Sequence, residues 1–173
     1  MPARVVYLLD VDNTLLDNDR IVADLMGHLD SAVGHARQQE YWAIFERLRA
    51  QLGYADYLGA LQIYRAEHPH DPNVLSVSSF LIDYPFASRL FPNALDVIDK
   101  LKRWGLPVIL TDGDVVFQPR KIERSGLLDA VEEHVLIYVH KELELADVER
   151  RYPAESYVMV DDKLWLLDAI KRH

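Results

Sequence analysis

The sequence predicts an α/β fold, a parallel sheet with helices on both faces and an inserted bundle of helices. Three observations carry that prediction. Short apolar runs alternate with segments of helical periodicity over most of the chain, the pattern of a parallel sheet covered on both sides by right-handed crossovers. Each run ends in polar or charged residues, as strands do where open α/β sheets hold ligands. Between residues 17 and 90 the strand pattern disappears and only helical stripes remain.

Taken in order, Val5 to Leu9 reads as a buried strand that runs into Asp10-Val11-Asp12-Asn13-Thr14. Three stripes follow: Ile21, Leu25, Met26 and Leu29; Tyr41, Ile44, Phe45 and Leu48; Tyr57, Leu58, Leu61 and Tyr64. Their spacing predicts three or four amphipathic helices whose aromatics are mostly core. Ala94 to Trp104 has apolar residues at helical spacing and is closed by Gly105. Leu106 to Leu110 is a second strand, Val116 to Leu127 a helix, Val135 to Val139 a third strand, and Leu143 to Arg150 a short helix before Pro153. Tyr157 to Val160 is a fourth strand, with a helix from about Leu164 onward.

With 173 residues, half of them hydrophobic, the chain can bury a substantial core. A net charge of -9 without clustered Lys or Arg argues against a nucleic-acid or membrane-surface partner. The lack of cysteine removes disulfides, thiolate nucleophiles and Cys-ligated zinc, and is compatible with a cytoplasmic location. The apolar run before Asp10 is too short for a signal peptide. No stretch approaches the roughly eighteen apolar residues of a spanning helix. Oligomeric state leaves no mark in the sequence.

Two carboxylates at the end of a buried strand are costly unless a cation compensates them. Asp and Asn are also ordinary turn and N-cap residues, so the Asp10-x-Asp12 pair decides nothing alone. Three other predicted strands end comparably, in Thr111-Asp112-Gly113-Asp114, in His140-Lys141 and in Asp161-Asp162-Lys163. Turn preference gives no reason for acids, a hydroxyl, a lysine and further acids to assort over four strand ends. Gly113 is expected to let backbone N–H groups approach an anion.

On these four segments the chain resembles the haloacid dehalogenase-like hydrolase superfamily, of the phosphatase type. Asp10 to Thr14 matches the first motif, Thr111 the second, Lys141 the third and Asp161-Asp162 the fourth. The resemblance implies a Rossmann-like sheet with the first strand between those bearing the second and fourth motifs. It implies a catalytic core over residues 1–16 and 91–173, and an inserted α-helical cap over 17–90 that covers the ligand rim. Two features depart from the pattern. The second motif reads Thr-Asp-Gly where Thr/Ser-Asn-Gly is commoner. The chain also stops one helix after the fourth motif, so a last strand and helix are expected to be missing, disordered or outside this sequence.

The resemblance also implies roles. Asp10 is the nucleophile that forms a phospho-aspartate, and Asp12 the acid and base that serves the leaving oxygen and then water. Thr111 donates to a phosphoryl oxygen and Lys141 holds the charge of Asp10 and the transferring group. Asp112 and Gly113 complete the phosphate loop. Mg²⁺ is the expected cofactor, held by Asp10, the main chain of Asp12 and Asp162, with Asp161 supporting these ligands from behind or serving as an alternate ligand. The expected function is hydrolysis of a small phosphorylated metabolite. A phosphomutase or other phosphotransferase is the nearest alternative, with a 2-haloacid dehalogenase or a non-catalytic interaction module behind it. Asp12 favours phosphoryl transfer, because dehalogenases of the family lack this acid.

The remaining polar residues read as structural. His68-Pro69-His70-Asp71 suits a surface loop better than a zinc site. Arg120 and Lys121 suit a solvated helix face. Arg20, Tyr41, Trp42 and Tyr64 lie in the inserted helices, where spacing does not separate substrate contacts from packing.

Overall fold

The computed structural model describes residues 3–172; Met1, Pro2 and His173, which fall in the expected core, lie outside them. Four strands form one all-parallel sheet in the order β3-β2-β1-β4, with β1 Ala3–Leu9, β2 Leu106–Asp112, β3 Val135–Tyr138 and β4 Ala154–Val160. β1 is therefore central, paired as Leu9↔Ile109 with β2 and Leu9↔Val160 with β4. This places the first-motif strand between the second- and fourth-motif strands, as expected.

Strand alternation sorts the apolar residues onto two faces. Val6, Leu8, Val108, Leu110 and Leu136 face one side, together with Val148 of α8 (Leu145–Arg151). A crevice among Leu8, Met159, Leu167 and Ile170 puts α9 (Leu164–Lys171) on that side too. Leu9 and Ile109 face the other side, which packs against α5 (Ala94–Leu101), α6 (Phe117–Arg124) and α7 (Leu127–Ala130).

The chain leaves the sheet after Leu16 and forms α1 (Asn18–Val33), α2 (His35–Leu52), α3 (Tyr57–Glu67) and α4 (Val74–Asp83). Asp17 caps α1 by accepting the Arg20 N–H at 3.0 Å, and Asp56 caps α3 through Gly59 at 2.7 Å. The outgoing and returning segments touch: Leu16 bridges Leu90, Asp17 N–H donates to Arg89 O at 2.8 Å, and Phe91 N–H to Leu15 O at 3.0 Å. The core of these helices, including Leu25, Tyr41, Phe45 and Tyr64, is continuous with that of the sheet. Phe117 joins them, with ring centroids 5.1 Å from Tyr57 and 5.5 Å from Phe86.

Several predicted boundaries shift for local reasons. The helix expected over 116–127 divides at Gly126, whose φ of 84° is left-handed and ends a helical turn. The helix from Ala94 stops at Leu101, and Gly105 follows because a Cβ there would collide with the Val5 carbonyl. β4 starts at Ala154, ahead of Tyr157; it is an edge strand, so Glu155 and Ser156 extend it while staying exposed. Among the described residues no helix is long and apolar enough to cross a membrane.

Candidate active site

The β1–β4 ladder continues one residue past β1, where Asp10 N–H donates to Val160 O at 3.0 Å. The chain then turns sharply, because the Val11 carbonyl accepts the N–H groups of Thr14, Leu15 and Leu16 at 3.2, 3.0 and 3.1 Å. Asn13 makes the turn in the left-handed region, φ 60°, which asparagine tolerates better than most residues. Its side-chain oxygen accepts the Asn18 and Asp19 N–H groups at 3.0 and 3.2 Å, tying the turn to α1. Asp10 is buried and accepts the Thr14 hydroxyl at 3.1 Å, whereas Asp12 faces a cavity.

Lys141 reaches the same carboxylate from the end of β3. Its backbone is pinned first, since Asp112 Oδ1 accepts the Lys141 N–H at 2.7 Å. The fully buried ammonium then donates to Asp10 Oδ1 at 2.5 Å and Leu110 O at 3.3 Å, and lies 2.6 Å from Asp161 Oδ2. Burial pushes the Asp10 carboxyl up to about 6; Lys141 opposes that rise and Asp161 adds to it. Burial works against the Lys141 ammonium, but Asp10 and Asp161 outweigh it and raise its pKa. One cation is thus shared by two buried acids.

Charge near β4 is less completely matched. Asp161 Oδ1 accepts the Lys163 N–H at 2.8 Å, while its buried Oδ2 has the Lys141 ammonium at 2.6 Å, which Asp10 shares. Oxygens of Asp10, Asp161 and Asp162 all lie within 4.8 Å of one another. Three carboxylates around one ammonium make an all-oxygen donor set with negative charge left over, which fits a hard divalent cation. Asp162 is exposed to the cavity and burial raises its pKa, Lys163 opposing, so it too gains from a nearby positive charge. The Asp12 side chain lies outside this triad because Lys121 holds it, leaving only its main chain for the expected metal role.

Thr111 is buried at the end of β2, where its hydroxyl oxygen accepts the Gln118 amide N–H at 3.0 Å. The hydroxyl itself donates to Asp112 O at 3.3 Å, a long bond that a stronger acceptor would displace. Gln118 and Lys121 stand one turn apart on α6 and both are buried. The Lys121 ammonium donates to Asp12 Oδ1 at 2.6 Å and Asn18 Oδ1 at 3.0 Å, and sits 5.0 Å from the Phe117 ring centroid. The expected solvated role of Lys121 is therefore incorrect. Arg120, its neighbour, is partly exposed and pairs with Glu123 at 3.3 Å.

Gly113 has a different use from the one expected. Its N–H donates to Tyr138 O at 3.1 Å, so that amide is not free for an anion. Glycine is needed because a Cβ would come within 2.7 Å of Gln118. Asp112 likewise positions Lys141, whose backbone N–H it accepts at 2.7 Å, and burial raises its pKa while Lys141 opposes the rise.

The cavity above these groups has a volume of about 380 Å³ and is lined by Asp12, Asp112, Lys121 and Asp162 on one side and by Trp42 and Arg49 on the other. Of the residues in the inserted helices, Trp42 lines it, whereas Tyr41 is buried, donating to Tyr57 O at 2.8 Å. Arg20 pairs with Asp24 at 3.4 Å. Tyr64 donates to Asp71 at 2.7 Å. The Asp71 side chain is a buried hub that also binds Arg37 at 2.8 Å and the Asn73 N–H at 2.9 Å, so its loop is fastened through charge and hydrogen bonds.

A family model described as haloacid dehalogenase-like hydrolase matches residues 6–173. A structure provisionally described as a haloacid dehalogenase-like hydrolase from Burkholderia xenovorans LB400 is 60% identical; the match covers 99% of this chain and 80% of that one, with a TM-score of 0.94. A HAD-hydrolase from Bacillus subtilis bound to magnesium shares 17% identity over 95% of this chain and 80% of that one, TM-score 0.59. L-2-haloacid dehalogenase from Xanthobacter autotrophicus shares 21% over 99% and 74%, also TM-score 0.59. At those lower identities the likeness is one of fold. No curated protein matches the chain.

Proposed function

The chain belongs to the haloacid dehalogenase-like hydrolases, and on that premise we propose that it is a Mg²⁺-dependent phosphatase acting on a small phosphorylated metabolite. The observation that supports this most strongly is Asp12, a carboxyl group that faces the cavity two residues from Asp10. A halide leaves without a proton, whereas an ester oxygen needs one.

In this reading an Asp10 oxygen attacks phosphorus as the ester P–O bond breaks, and Asp12 gives its proton to the departing oxygen. Asp12, now ionised, takes a proton from water as that water attacks the acyl phosphate, releasing inorganic phosphate and the Asp10 carboxylate. Lys141 holds Asp10 for the attack, and the Thr111 hydroxyl exchanges its long bond to Asp112 O for a phosphoryl oxygen. Asp10, Asp162 and the main chain of Asp12 would hold Mg²⁺, with Asp161 beside them; bound there, the ion supplies positive charge to the carboxylates and the phosphoryl oxygens. The helices α1–α4 act as a cap that limits water and selects the alcohol portion of the substrate. Mutase transfer would require a sugar hydroxyl in place of water in the second step.

The test is a panel of sugar phosphates, nucleotides, phosphoglycolate and amino-acid phosphates, run with Mg²⁺ and with chelator. Release of inorganic phosphate that stops with chelator is expected, as is a trapped phospho-enzyme that Asp10→Asn abolishes. Chloride release from a 2-haloacid, or labelled phospho-enzyme from Asp10→Asn, would overturn the proposal.

A further inference from the structure

We propose that Lys121 is a positioning residue for Asp12, an inference that rests on the phosphatase reading above. Burying an ammonium costs several kcal/mol after relaxation. An apolar side chain would pack beside Phe117 without that penalty. The lysine is nevertheless fully buried, and its head group is restrained by Asp12 Oδ1 at 2.6 Å, Asn18 Oδ1 at 3.0 Å and the Phe117 ring at 5.0 Å.

These contacts come from separate parts of the chain. Asp12 lies in the turn after β1, Asn18 opens α1, and Phe117 shares α6 with Lys121. Asp12 itself is 28% exposed on its side chain and faces the cavity. Without a partner, such a carboxylate would sample several rotamers. Lys121 fixes one oxygen, Oδ1, and thereby directs Oδ2 to one place. An acid that must meet a leaving oxygen within hydrogen-bonding distance benefits directly from that restraint. Lys121 need not touch the substrate for this role.

The distinguishing property of a residue acting through Asp12 is dependence on the leaving group. Wild type, Lys121→Met, Asp12→Asn and the double variant are compared on aryl phosphates from p-nitrophenyl to unsubstituted phenyl phosphate, with saturating Mg²⁺. For Lys121→Met, kcat on phenyl phosphate is expected to fall about 30-fold and on p-nitrophenyl phosphate less than about 3-fold, with KM little changed. In the Asp12→Asn background the same change is expected to cost less than about 2-fold, because the group it positions is already disabled. Lys121→Gln, similar in length and still a donor to Asp12, is expected to show a smaller loss, about 3- to 10-fold, still confined to phenyl phosphate, and it supplies the leaving-group test if the methionine variant fails to fold.

Equal losses across the aryl series, or losses that multiply in the double variant, would overturn the assignment while leaving the phosphatase reading intact. Wild-type protein inactive on every phosphate ester would remove both.

Discussion

Lys141 Nζ lies 2.5 Å from Asp10 Oδ1, although 131 positions separate the two residues in sequence. The contact brings a third-motif cation to a first-motif acid, with Asp161 on its other side at 2.6 Å. Lys141→Met would leave two buried carboxylates without their cation. Turnover is expected to fall by at least about 10²-fold, the scale of removing one transition-state donor. Metal-free stability is expected to drop by about 3–5 kcal/mol, as when one partner of a buried pair is removed. Thermal unfolding with and without Mg²⁺ checks the second claim, since a divalent cation would restore part of the loss. An unchanged melting temperature in the metal-free variant would contradict it.

The acidic pair after β4 is divided by surroundings. Asp161 is fully buried on its side chain and already occupied by Lys141 and the Lys163 N–H, whereas Asp162 opens to the cavity. Asp162→Asn is therefore expected to weaken Mg²⁺ binding more than Asp161→Asn, whose effect should be about 10-fold through orientation of the neighbouring groups. Calorimetric titration ranks the two, and the reverse order would make Asp161 the direct ligand.

Gln118 aims the Thr111 hydroxyl. Gln118→Leu is expected to lower kcat about 10-fold with little change in KM, because the donor to the phosphoryl oxygen loses its orientation. Gly113→Ala places a methyl against Gln118 and is expected to cost about 1–3 kcal/mol of stability as well. If Gln118→Leu retains full kcat, Thr111 is held by other means.

Asp71 provides a pH signature remote from the site. Burial raises its pKa, but hydrogen bonds from Tyr64, the Asn73 backbone and Arg37 outweigh this and hold it below the usual carboxylate range. A depressed folded pKa contributes stability that is complete above the unfolded value, about 4, and is lost as pH falls through the folded one. Asp71→Asn is expected to cost about 1–3 kcal/mol at neutral pH. The gap between wild type and variant should narrow as pH is lowered from about 5 to about 3. Denaturant titrations at several pH values measure it, and a constant gap would rule out this linkage.

Legibility in the sequence followed locality. The strands β1 and β2 and the stripes of α1 to α3 were readable because alternation and helical period are properties of a few neighbouring residues. Asp10, Thr111, Lys141 and Asp161-Asp162 were readable because each follows an apolar run that announces a strand end. Gln118 and Lys121 were not, since a polar residue on a short helix has the same local pattern whether it faces solvent or, as here, the Thr111 hydroxyl and the Asp12 carboxylate. Their one available signal was the i, i+3 spacing just behind the second motif, which puts both on one helical face. Asp71 was missed as a hub for the same reason: its partners Tyr64 and Arg37 belong to other helices, and only folding brings them to it. Gly113 was recognised as necessary, but its neighbour Gln118 supplies the reason.

Phe117 packs on Tyr57 and Phe86 while its helix carries the groups that hold Thr111 and Asp12. Swinging α1–α4 wholesale off the sheet would wet these rings and tug on the same short helix that aligns the reacting groups. On the phosphatase reading, substrate traffic would be mechanically tied to alignment. The molecule is expected to react well only when shut, so that slow departure of the alcohol or of phosphate, rather than bond breaking, would set its pace on good substrates.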